Sequence, residues 1–112
     1  MNELLRQPVR QVMELLVSGK YVEVETLTNS IRLKAQEIAK VITDYGRQLV
    51  LPPDEAFGVM DVVEVRNAKP RRWSVTMPLW TREEGRSDLS LELTLIAGAQ
   101  AFAIELDDIH VR

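Results

Sequence analysis

Asp61 is the residue best placed to do chemistry in this chain. Val59, Val63 and Val65 flank it at strand spacing, so an acid stands in an otherwise apolar row, with Met60, Val62 and Glu64 opposite. If that row faces inward, desolvation raises the carboxyl pKa unless a donor meets it, which is how a general base is made. Tyr21 or Tyr45 would then complete a Tyr–Asp pair. The competing expectation places Asp61 at the sheet rim, or on a bulge that turns it to water.

His110 and Asp108 lie two residues apart and share a strand face, as a proton-transfer pair or half of a metal site would. A lone His in a chain with no Cys is poor ligand material. The acidic pairs Glu83-Glu84 and Asp107-Asp108 would need to converge to hold Ca²⁺, and neither sits in a ligand-spaced loop. No metal is expected. Trp73 follows an apolar row and reads as core. Trp80 falls on the opposite parity, beside Thr81-Arg82-Glu83-Glu84, where a Trp can anchor a partner or fold over the sheet edge. The candidate binding residues are therefore Trp80, Asp108 and His110, and the candidate catalytic groups are Asp61, Tyr45 and His110.

Other catalytic signatures are missing. The chain has no Gly-x-Ser-x-Gly, Gly-x-Gly-x-x-Gly, phosphate-binding Gly-Lys-Ser/Thr or His-Glu-x-x-His pattern, so no cofactor is expected. Fourteen basic against 17 acidic residues give a net charge of −3. The two halves of the chain carry similar balances, whereas a nucleic-acid binder concentrates basic charge. Lys69-Pro70-Arg71-Arg72 reads as a solvated hairpin loop, and nucleic acid is not an expected partner. No basic segment leads into an apolar one at the N-terminus, and no apolar run reaches the ~18 residues of a membrane span. The expected location is the cytoplasm, with no membrane association.

The elements that must position these groups follow from periodicity. A length of 112 residues, 46% of them hydrophobic, suits one domain spanning 1–112. Leu5, Val9, Val12, Met13 and Leu16 mark one helical face, with the regular helix expected to begin near Pro8 and Gly19 to cap it. Lys20–Asn29 reads as a short helix and Ile31-Arg32-Leu33 as a brief extended piece. Ile38, Val41, Ile42 and Tyr45 mark another helix, stopped at Gly46. Leu49 to Ala56, with Pro52-Pro53, reads as a covering loop.

From Phe57 the period changes to two. A first strand is expected at about Gly58–Arg66. Trp73, Val75, Met77 and Leu79 alternate with polar residues, as do Leu89, Leu91, Leu93 and Leu95, the mark of an antiparallel sheet covered on one face. Phe102, Ile104 and Leu106 continue it. The parity then slips to Ile109 and Val111, which predicts a β-bulge at Asp107-Asp108. The expected fold is α+β: N-terminal helices on one face of a curved four-stranded antiparallel meander.

Helices followed by a meander ending in Ile104-Glu105-Leu106-Asp107-Asp108-Ile109-His110-Val111 resemble the cystatin-like roll of the nuclear-transport-factor/SnoaL-like superfamily. Pro78-Leu79-Trp80-Thr81, Glu83 to Leu89, Gly19-Lys20-Tyr21 and Asp44-Tyr45-Gly46 are similar to a family of small uncharacterised bacterial proteins. The resemblance implies a scaffold that serves both pocket enzymes and non-catalytic dimerisation modules, and it transfers no catalytic residue. The expected function is a non-enzymatic binding domain, forming a homodimer through its sheet. One alternative is an isomerase, dehydratase or hydrolase with Asp61 as base, and another is a toxin-neutralising immunity-type protein that meets a basic protein partner with acidic surface.

Overall fold

The computed structural model describes residues 2–29 and 32–112. Helix α1 (Asn2–Val17) buries Leu5, Val9, Val12, Met13 and Leu16, each at most 1% exposed. It begins at Asn2 rather than near Pro8. The apolar stripe already includes Leu5, and its burial holds the turn before the proline. Pro8 frees only the Leu4 carbonyl, and Leu4 is 64% exposed, on the side where water can take up that acceptor.

Gly19 turns the chain with φ +72°, while the Lys20 N–H donates to the Leu15 carbonyl at 2.9 Å. Helices α2 (Tyr21–Leu27) and α3 (Ala35–Tyr45) follow, and Gly46 ends α3 with φ +75°. Left-handed backbone of this kind closes helices at least cost with glycine, which has no Cβ. Arg32 and Leu33 form no strand, and Ile31 lies outside the described residues.

The expected covering loop contains two elements. Leu49–Val50 is a short strand, β1, and Asp54–Phe57 is a helical turn, α4, that buries Phe57. Pro52 and Pro53 separate the two, as residues lacking a backbone donor should. Strands β2 (Asp61–Glu64), β3 (Arg72–Thr81), β4 (Gly85–Ile96) and β5 (Ala103–Val111) complete an antiparallel sheet. Five strands therefore stand where four were expected, in the order β1-β3-β4-β5, with β2 beside β3. β1 faces Trp80 and Thr81, and β2 faces Trp73 to Thr76, so the two share one edge of β3.

The helices cover the inner sheet face, and the core joins both layers. Trp73, Val75, Met77 and Leu79 from β3 meet Leu89, Leu91, Leu93 and Leu95 from β4, with the α1 stripe and Ile38 above them. Phe102 is only half-buried, at the rim, edge-on to Trp73 with ring centroids 5.7 Å apart.

Two irregularities shape the outer face. Glu92 pairs with Asp108 but Leu93 pairs with Leu106, leaving Asp107 as the extra residue. The bulge read from the parity slip is present, and it keeps Leu106 and Ile109 on the buried side. The second lies between Pro78, which pairs with Ser90, and Trp80, which pairs with Arg86. The Ser87 hydroxyl fills that gap, donating to the Leu79 carbonyl at 2.7 Å and accepting from the Leu89 N–H at 3.1 Å. No helix among the described residues is long and apolar enough to cross a membrane.

Candidate functional site

Strand β2 has apolar residues on both of its faces, and packing decides between them. Met60 is buried and Val62 half-buried beneath the sheet, so Val59, Asp61, Val63 and Val65 turn to the outer side. Val59 is 82% exposed, Val63 59% and Val65 40%. Asp61, opposite Thr76 in the register, is exposed as well. The inward acid is thus overturned: the larger, unbranched Met60 occupies the core and the valine row faces water. Nor does a Tyr–Asp pair form. Tyr45 donates its hydroxyl to Glu84 at 3.0 Å and accepts from the Asp88 N–H at 3.3 Å.

Asp61 lines an open groove of about 270 Å³ on the outer face. Val59, Thr76 and Pro78 form one part of it, and Arg86 to Asp88, Ser90 and Arg112 the rest. The Ser87 irregularity brings the charged residues of β4 to this place. Among the described residues, the side chains of Asp61, Arg86, Asp88 and Arg112 make no ion pair or hydrogen bond with any other group. Most of the chain's other charges are engaged: Arg10 with Asp54 at 3.1 Å, Lys40 with Asp44 at 2.8 Å, Arg71 with Glu64 at 2.7 Å. Four unpartnered charges of balanced sign around one groove are a feature that sequence spacing did not signal. They come from two strands, β2 and β4, and from Arg112 just past the end of β5.

His110 stands elsewhere on this face. Its Nε2 lies 3.3 Å from Glu92 and its Nδ1 3.0 Å from Asp108. The Asp108 contact is out of line for a hydrogen bond, so Nδ1 is buried without one, and Asp108 also accepts from the Ile109 N–H at 2.9 Å. The other bulge residue, Asp107, accepts from the Thr94 hydroxyl at 2.6 Å and meets Arg32 at 3.3 Å. Tyr45 and His110 do share a groove, of about 420 Å³, with Asp44 and Val111 at its margin. Asp61 is not among its lining residues, so the three candidate catalytic groups do not converge.

Trp80 is half-buried at the β3–β4 turn, where it packs beside Gly85, and its indole N–H is buried without a partner. At that turn Glu84 accepts from Tyr45 and from the Thr81 hydroxyl, and Glu83 accepts from the Gln48 N–H at 3.0 Å. These acids tie the hairpin to the end of α3. A larger groove, about 580 Å³, runs between α1 and the β4–β5 loop. Gln7, Gln11 and Gln100 supply its polar lining, with no titratable side chain, so it offers nothing for acid–base chemistry.

The basic tetrapeptide ends the β2–β3 connection, with Arg72 already in β3. There Arg71 donates to both oxygens of Glu64, at 2.7 and 2.9 Å, and lies 5.0 Å from the centre of the Trp73 ring. The hydrogen bonds from Arg71 hold the Glu64 carboxyl below its ordinary pKa and raise that of the guanidinium. The bond to Asp44 likewise raises Lys40.

Residues 13–112 match a family model described as a domain of unknown function, DUF7668. The match begins inside α1 and takes in every strand. No curated protein and no solved structure matches the chain.

Proposed function

The chain belongs to the DUF7668 family, and from that premise we propose that it is a non-enzymatic interaction domain that pairs with a second copy through its outer sheet face. The observation that carries this reading is a valine row turned to solvent along one edge of the sheet, with Val63 in β2 and Val59 and Val65 just beyond its ends. Edge strands are the natural templates for association, and soluble proteins blunt those they do not use with charge and bulges. β5 is blunted in this way, by its bulge and by Glu105, Asp107 and Asp108. Along β2 the outer row carries a single charge, Asp61, among Val59, Val63 and Val65.

The cystatin-like likeness, supported by the order of helices followed by an antiparallel sheet, belongs to the same proposal, as do the kinship with small bacterial proteins and a cytoplasmic site of action. An enzyme with Asp61 as base draws less support, since that carboxylate is exposed and Tyr45 is committed to Glu84. A second reading, an immunity-type protein docking a basic partner, draws on the acids Glu92, Glu105 and Asp108 gathered toward β5.

Sedimentation velocity over a dilution series tests the proposal. Wild type is expected to move from dimer to monomer on dilution, and Val63→Lys to stay monomeric with an unchanged circular dichroism spectrum. A wild-type monomer at every concentration overturns it.

A further inference from the structure

We infer that the outer groove is one half of a two-fold, charge-paired contact, in which Asp61 of one copy meets Arg86 of the other and Asp88 meets Arg112. The inference rests on the dimer reading above and names the contacts that set its register. In a two-fold interface the same patch occurs on both sides, so the patch must complement itself. A surface of one sign cannot do so. The groove can, because it carries two acids and two arginines that leave one another unpaired.

The rest of the sheet restricts where the axis lies. Glu92 and Asp108 both flank His110, with Glu105 and Asp107 further along β5. Set against a second copy of itself, that region brings acid against acid, which disfavours association. The axis therefore falls on the β2 side, where Val59 and Pro78 provide apolar contact beside the charges. The valines supply the adhesion and the charges choose the register, the division of work expected where exposed ion pairs are individually weak.

Charge reversal tests this directly. Asp61→Arg and Arg86→Asp each set like charges against each other in a homodimer, and each is expected to weaken self-association by about tenfold or more in sedimentation equilibrium. Mixing the two variants restores opposite charges across the contact, so the mixture is expected to form a heterodimer near wild-type affinity. Added salt weakens the wild-type dimer. Both positions are exposed, so the variants keep the fold, which circular dichroism checks. A dimer that persists in both variants with unchanged affinity overturns the charge-paired register and leaves the dimer reading standing. A wild-type monomer at all concentrations overturns both. Weakening by both reversals without rescue on mixing also overturns the pairing, since general repulsion then accounts for the loss.

Discussion

Asp61 stands directly opposite Thr76 in the β2–β3 ladder, on the side of the sheet turned away from the helices. Partners in an antiparallel ladder share a face, and the neighbours of Thr76, Val75 and Met77, are buried on the other one. The carboxylate is therefore a surface group. Substituting Asp61→Leu is expected to change stability by no more than about 0.5 kcal/mol, as surface changes do. Thermal midpoints at low protein concentration, where association does not contribute, check this. A clear gain in stability would show an acid held at an apolar site, and a clear loss would show a buried partner.

The Glu64–Arg71 pair makes the β2–β3 connection sensitive to acid. The carboxyl pKa is lowered in the folded chain, chiefly by the hydrogen bonds from Arg71. A group of this kind contributes stability that is fully present above its unfolded pKa and is lost as pH falls through its folded one. The window thus begins near the ordinary glutamate range and extends below it. In Arg71→Gln the Glu64 titration is expected to rise toward the ordinary value, followed by NMR of its side-chain carboxyl. An unmoved titration would deny the pairing in solution.

Ser87 holds the irregularity that brings Arg86 and Asp88 to the groove. Its buried hydroxyl serves the Leu79 carbonyl and the Leu89 N–H. Ser87→Ala strands these two backbone groups, at a cost of about 1–3 kcal/mol. Chemical denaturation measures the loss. A change below that range would mean that water or a local shift takes over both bonds.

Gly46 ends α3 in left-handed backbone with open space around it. Gly46→Ala therefore meets no clash, only the conformational penalty, about 1 kcal/mol. Thermal unfolding reads this, and a neutral result would mean the helix ends differently in solution.

The sequence made some of these features legible and hid others for identifiable reasons. The α1 stripe and the alternation of β3 and β4 each have one apolar and one polar face, so period alone assigns their direction. The bulge at Asp107 was readable because the parity slip at Asp107-Asp108 allows few other repairs. β2 was not readable in this way: Met60 and Val62 on one face and Val59, Val63 and Val65 on the other are all apolar, and only packing tells which enters the core. The start of α1 is not legible from Pro8, because proline suits a first turn and its penalty further in depends on whether the Leu4 carbonyl reaches water. β1 and α4 are shorter than any window in which a period can be seen. The charged groove was hidden because it depends on the offset between Pro78 and Trp80, which no local pattern marks.

The most direct measurement of the central claim is the dilution-dependent mass of wild type against Val63→Lys by sedimentation velocity. The account predicts a wild-type dimer that dissociates on dilution and a variant that is folded and monomeric throughout. A wild-type chain that is monomeric at every concentration, or a variant that dimerises as wild type does, would contradict it.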